Sequence, residues 1–208
     1  MASAKGADIG AAKYPGTDKT VDVVRQEIVA KTGENTVVRR WDTLSAQGAG
    51  GLVHAYVHMG GKLAVLISAE APSAEAAKNP EFVSFVDNAA MQIAAMNPLV
   101  VRKEEIASSL VDKQKEIFAA QLKEEGKPEN AWPKIIDGKV QKWFTEVTLL
   151  GQESVVEPGS TVEKLRTELG KKLGGEVKLH GFVRFGLGEG IEKQSEDLAA
   201  EVMKIAGG

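Results

Sequence analysis

Apolar positions recur along this chain in blocks whose period changes, and each change marks a new element. From Thr20 onward, Val21, Val24 and Ile28 share one face of a 3.6-residue helix, and Gly33 in "KTGEN" supplies the left-handed residue that ends it. The period then falls to two. "NTVVRRWDTLS" (35–45), "LVHAYVHM" (52–59) and "KLAVLISAE" (62–70) predict three β-rich runs. Gly60-Gly61 joins the last two in a turn suited to a hairpin, so the sheet is expected to be antiparallel. The helical period returns in "AKNPEFVSFVDNAAMQIAAMNP", where Asn79 is a good N-cap and Pro80 fits the first helical position. Phe82, Val86, Ala89, Ala90, Ile93 and Met96 give that helix an apolar face to cover the sheet, and Asn97-Pro98 ends it.

Two long helical patterns follow back to back. Residues 103–125 set Ile106, Leu110, Ile117 and Ala120 on a narrow stripe in a heavily charged segment, while 132–147 carry Trp132, Ile136, Val140, Trp143, Phe144 and Val147 at similar spacing. Gly126 ends the first helix, Pro128 is tolerated in the first turn of the second, and Pro133 is still near enough to its start. So short a connection makes the pair antiparallel, each helix burying one seam against the other. Beyond Gly151, Ser160 and Glu163 predict a capping box before Val162, Leu165 and Leu169, with the helix ending at Gly174-Gly175. "EVKLHGFVRFGLGEG" alternates as a last strand, and "SEDLAAEVMKIAGG" begins a small amphipathic helix. The fold class expected is α+β: an antiparallel sheet covered by helices, with a protruding antiparallel helical hairpin, or coiled coil. The boundaries expected are a flexible arm over 1–19, a core over 20–101 and 150–190, the hairpin over 102–149 and a C-terminal helix over 191–208.

Length and charge narrow the function classes. A chain of 208 residues builds one sizeable core. A formal net charge of −3 and the lack of a basic run give no pull toward nucleic acid. Cys is absent, which removes disulfides, thiolate metal sites and a cysteine nucleophile, and fits a reducing, cytoplasmic setting. The longest apolar runs, 63–68 and 89–96, are far shorter than the roughly 20 residues of a membrane span. The start, "MASAKGADIGAAKY", lacks the apolar core of a signal peptide.

No chemical motif emerges. His54 and His58 lie four apart in a strand and point to one face, but no carboxylate stands at a supporting metal-ligand spacing, and His180 is remote. "FGLGEG" (185–190) fails the dinucleotide fingerprint on spacing and context, and "HMGGKL" lacks the earlier Gly and the Ser or Thr of a phosphate loop, so these glycines are expected in turns. Carboxylates alternate with Lys, as in "RKEEIASSLVDKQKEIF", which reads as a solvated face rather than an acid–base pair. No nucleophile elbow occurs. The aromatic trio Trp132, Trp143 and Phe144 reads as the hairpin seam, with a partner-docking patch as the alternative. From the residues alone, the chain is an interaction module with a helical arm, with no enzyme activity and no cofactor expected.

Longer word matches go further. "EGKPEN", "FTEVTLLGQ", "TVEKL", "GFVRFGLGEGIEK" and "DLAAEV", in this order, together with "KTGENTVVRR", "VHAYVHMGGKLAVLISA" and "NAAMQIAAMNP", closely resemble the bacterial elongation factor Ts family from about residue 20 to the end. The resemblance implies a guanine nucleotide exchange factor that binds elongation factor Tu in its GDP-bound and nucleotide-free states, with no chemistry and no cofactor of its own. It also implies that the hairpin centred on 126–130 is the family's projecting coiled coil. Position by position, His58 matches a partner-facing histidine. Thr32-Gly33 match a contact turn that more often reads Ile-Gly, and Val155-Val156 match an apolar contact that often reads Val-Met. A helix cap alone would explain Gly33, and a core could absorb the valines. The family's small N-terminal domain and its Thr-Asp-Phe-Val element are not found, and "SAEAPSAEAAKNPEF" has no Asp-Phe pair. The chain is therefore expected to correspond to the second core half of a long member, as a fragment, a truncated product or a divergent short form. The alternative function is an elongation factor Tu-binding module without full exchange activity. An unrelated enzyme, or a hairpin that contacts RNA-bearing complexes, finds little support in the residues.

Overall fold

The computed structural model describes residues 9–190; the helix expected over 191–208 lies outside them. Strands β1 (Gly51–His58), β2 (Leu63–Glu70) and β3 (Lys178–Gly186) form one antiparallel sheet in the order β1-β2-β3. His58 pairs with Leu63 across a turn containing Gly60 and Gly61, both at positive φ, as a tight hairpin requires. β3 returns beside β2 with a bulge between Ser68 and Ala69. As the central strand, β2 buries most of its inner face: Val65, Ile67 and Ala69 are essentially inaccessible, and Leu63 is partly buried.

Helix α1 (Val21–Thr32) starts at Thr20, whose side chain accepts from the Val23 amide, and ends at Gly33 with φ 74°. It buries none of its own residues. Ahead of it, residues 9–19 form a short 3-10 turn and a bridge from Lys13 to Thr20, with nothing buried. Helix α2 (Pro80–Met96) is capped by the Asn79 side chain and ends at Asn97 in the left-handed region. Phe82, Val86, Ala89, Ala90 and Ile93 lie against the inner sheet face, as the period predicts, while Met96 in the last turn is half exposed. The core is completed by Leu149, by Val162 and Leu169 of α5 (Val162–Leu173), and by Val177 and Leu179.

Four expectations are corrected. Residues 35–45 form no strand. Side chains rather than a ladder hold this stretch: Ser68 Oγ donates to the Ser45 carbonyl at 2.9 Å, Arg25 reaches the Thr36 carbonyl at 3.4 Å, and Arg39 bonds the Glu189 carbonyl. Helix α5 is capped by Thr161, not Ser160, and Glu163 turns to Arg166 instead of closing a capping box. Pro128 lies outside the second arm helix, ahead of a 3-10 turn over Glu129–Ala131. That helix, α4 (Trp132–Val147), has Pro133 in its first turn, where no amide is needed.

The last correction concerns the seam of the arm. In α3 (Ser108–Glu124) the side facing α4 carries Val111, Phe118 and the fully buried Leu122, whereas Leu110 and Ile117 are 41% and 43% exposed. Apolar residues stand at 110 and 111 and again at 117 and 118, so two stripes run one residue apart and periodicity cannot choose between them. The partner helix chooses: Val140 is buried, and Lys139 lies over the Phe118 ring, 5.6 Å from its centroid and 3.9 Å from Glu125. Contacts between mid-α4 and the end of α3 show the antiparallel order. At the root, Leu149 donates to the Val100 carbonyl at 2.9 Å and Leu150 to that of Val101 at 3.0 Å, clasping the strand that enters the arm to the one that leaves it.

Phe82 is completely buried between helix and sheet. Phe82→Ala should destabilise the fold by about 3–5 kcal/mol in chemical denaturation, against near-neutrality for Ile117→Ala on the outer face of the arm.

Candidate partner-docking site

The loop from Gly151 to Thr161 is bonded to its surroundings at almost every turn. Ser154 donates to the Ser160 carbonyl at 2.8 Å, and its hydroxyl accepts the amides of Val156 and Glu157 at 3.3 and 3.1 Å. The Glu153 carboxylate takes the Gly159 amide at 2.7 Å. Val162 and Glu163 donate back to the carbonyls of Gln152 and Leu150, both at 3.0 Å. Buried Gln92, from α2, accepts the Val155 amide at 2.8 Å. On this fixed backbone Val155 and Val156 are 41% and 42% exposed. Two neighbouring apolar side chains are thus held outward on a backbone that hydrogen bonds anchor along most of its length. A core does not absorb them.

His58 stands at the far end of β1, exposed, with Nδ1 2.9 Å from the Tyr56 hydroxyl and its ring stacked on the tyrosine at 5.8 Å between centroids. The stack fixes its rotamer on an edge with other exposed apolar groups. Val57 and Met59 flank it in sequence, and Leu187, 79% exposed, is brought beside the turn by its amide bond to the Lys62 carbonyl at 2.8 Å. Met59 holds φ 51°, uncommon for a residue with a side chain. Thr32 and Gly33 close α1 on a third element. The Thr32 hydroxyl donates to the Ile28 carbonyl at 2.9 Å and accepts the Glu34 amide at 3.2 Å, so its polar groups serve the helix end. The five predicted site residues thus occupy three separate exposed places.

Other polar groups act structurally. His54 sits 2.8 Å from Asp87 of α2 and His180 2.9 Å from Glu70 of β2, one pair tying strand to helix and the other strand to strand. Among the described residues no group of three or more His, Asp or Glu is placed to hold a metal ion. In "FGLGEG" the Glu189 carboxylate accepts the Gly186 amide at 3.0 Å and pairs with Arg184. That backbone bond, followed by Arg184, holds its pKa below the usual carboxylate range. The loop is filled by its own anion. At the arm root a cavity of about 640 Å³ is lined by Arg102, Phe144, Glu163 and Arg166, but Arg166 is committed: Nε and Nη2 bond both Glu163 oxygens at 2.7 and 2.8 Å, and Nη1 bonds the Val177 carbonyl. A groove of about 410 Å³ between α2 and α5 ends at Val156.

The sequence reading missed Met59, Leu187, Gln92 and Gln152. For the first two a signal existed, since an apolar residue inside a glycine turn has no local reason to be there. The two amides had none: Gln92 lies in an apolar run and Gln152 among polar loop residues, and each finds its partners only across the fold.

The elongation factor Ts family matches residues 2–189 of the chain. Elongation factor Ts of Nitratiruptor sp. is 45% identical over 84% of this chain and 56% of that protein. That of Syntrophotalea carbinolica is 42% identical over 99% of this chain and 67% of that protein, and that of Geotalea daltonii 43% identical over 76% and 73%. The chain therefore spans a little over half of the first relative and about two thirds of the second.

Hydrogen bonding and attraction from Arg166 lower the Glu163 pKa below 4.5. A carboxyl depressed in the folded state stabilises above its unfolded pKa and loses that contribution as pH falls through the folded one. Glu163→Gln should cost about 0.5–1 kcal/mol at pH 7, discounted for a half-exposed pair. In urea titrations the cost should shrink as pH drops below 4.5; a constant cost from pH 7 to 3 would refute the pairing.

Proposed function

Because the chain belongs to the elongation factor Ts family, we propose that it binds elongation factor Tu and promotes release of GDP, so that GTP takes its place. The observation that carries the reading is the pair of exposed valines on a loop anchored by hydrogen bonds, at positions where the family resemblance expects a partner contact. His58, fixed by Tyr56 on an exposed apolar edge, and the Thr32-Gly33 turn supply two further contacts. On this reading the chain makes and breaks no covalent bond and needs no cofactor or metal, and it works in the cytoplasm, where translation takes place. No described helix is long and apolar enough to cross a membrane.

Exchange is then a matter of linkage. If the chain binds nucleotide-free elongation factor Tu more tightly than the GDP form, GDP must bind the complex more weakly than free elongation factor Tu by the same factor. A rigid docking surface serves this end, because binding energy not spent on ordering the chain is available to distort the partner's nucleotide site.

Stopped-flow release of a fluorescent GDP from elongation factor Tu, run beside a binding titration, tests the proposal. Release should accelerate with the concentration of this chain; binding with unchanged release would overturn exchange and leave docking. His58→Ala should weaken binding by about 1–2 kcal/mol, as for a partly buried interface contact. Unchanged affinity in the folded variant would remove His58 from the interface.

A further inference from the structure

Gln92 and Gln152 are 1% and 3% exposed, deeper than side-chain amides ordinarily sit, and every polar side-chain atom of both has a partner. Their orientations follow from their neighbours. The Val155 amide can only donate, so Gln92 must present Oε1 to it, at 2.8 Å. Nε2 of Gln92 then donates to Gln152 Oε1 and to the Glu153 carbonyl, both at 3.1 Å. With its oxygen engaged, Gln152 donates through Nε2 to the Glu146 carbonyl at 2.7 Å, in the last turn of α4. An unbroken run of bonds leads from the arm's second helix, through α2, to the backbone under the exposed valines. Met or Leu would fill the same volume with nothing to satisfy, so what the amides add is direction.

We infer that Gln92 and Gln152 are positioning residues that hold Val155-Val156 in register with the root of the arm, so that loop and arm meet a protein partner as one preorganised surface. The inference rests on the docking reading of the valines proposed above. The two amides touch no partner themselves; they act by removing the ordering cost of the loop on association.

A double-mutant cycle with elongation factor Tu as the titrant separates this role from general stability. Val155→Ala/Val156→Ala, Gln92→Met and their combination are compared in affinity, with hydrogen exchange at the Val155 amide measured alongside. That amide should exchange slowly in the native chain and faster in folded Gln92→Met. Gln92→Met should weaken binding about tenfold, on the scale of one lost buried hydrogen bond. Removing the valines should also weaken binding on its own but add little once Gln92 is gone, because both changes act on one feature. Additive losses, unchanged affinity in folded Gln92→Met, or a fast-exchanging Val155 amide in the native chain would overturn the positioning role while leaving docking intact. Loss of the valines without any effect on affinity would overturn docking at this loop, and the inference with it. Should Gln92→Met not fold, Gln152→Met runs the same cycle, with additivity again overturning the inference.

Discussion

Everything described here hangs on the packing of α2 across the central strand. Val65, Ile67 and Ala69 have strands on both sides and a helix above, and Phe82, Val86, Ala90 and Ile93 close over them with no accessible surface left. Each fully buried large side chain contributes about 1.5–3 kcal/mol, so this layer outweighs any surface pair in the molecule. It also sets positions. Once α2 is fixed on the sheet, Asp87 meets His54 of β1 and Gln92 meets the backbone of the loop after the arm. The apolar face of one helix thereby places the polar contacts on its flanks.

The arm is built on the opposite economy. Its seam is thin, with Leu122 and Val140 as its buried residues, and its flanks are charged. What joins it to the core is the clasp of residues 99–101 with 147–150, together with the bond from Gln152 to the last turn of α4. Rigidity at the root therefore comes from directional bonds in a buried setting, where a hydrogen bond fixes orientation as well as distance. Such a root fixes the direction in which the hairpin leaves the sheet.

The arginines and carboxylates beside the arm root and the glycine loop pair with each other. Arg166 is held by Glu163, Arg184 by Glu189, and the glycine loop after β3 by the carboxylate it encloses. Around the candidate contact positions the exposed side chains are apolar: Val57, Met59, Val155, Val156 and Leu187. These apolar side chains, rather than the paired charges, are the groups on which the proposed docking rests.

Local signals carried much of the fold. The caps at Thr20 and Asn79, the left-handed stops at Gly33, Gly126 and Gly174, the hairpin at Gly60-Gly61 and the inner face of α2 are written in residue type and spacing, because each depends on neighbours within a few residues. So are the exposed contact candidates, but only through family words; spacing alone could not separate a surface Val155-Val156 from a buried one. Tertiary structure decided the rest. Whether Leu110 and Ile117 or Val111 and Phe118 face inward depends on where α4 lies, whether 35–45 pairs as a strand depends on side chains that reach it from other elements, and the role of Gln92 depends on residues sixty positions away. Short-range geometry is a property of the chain. The choice between two equally apolar faces, and the partner of a buried amide, belong to the folded state alone, because the competing local arrangements differ too little in energy to be told apart before the elements meet.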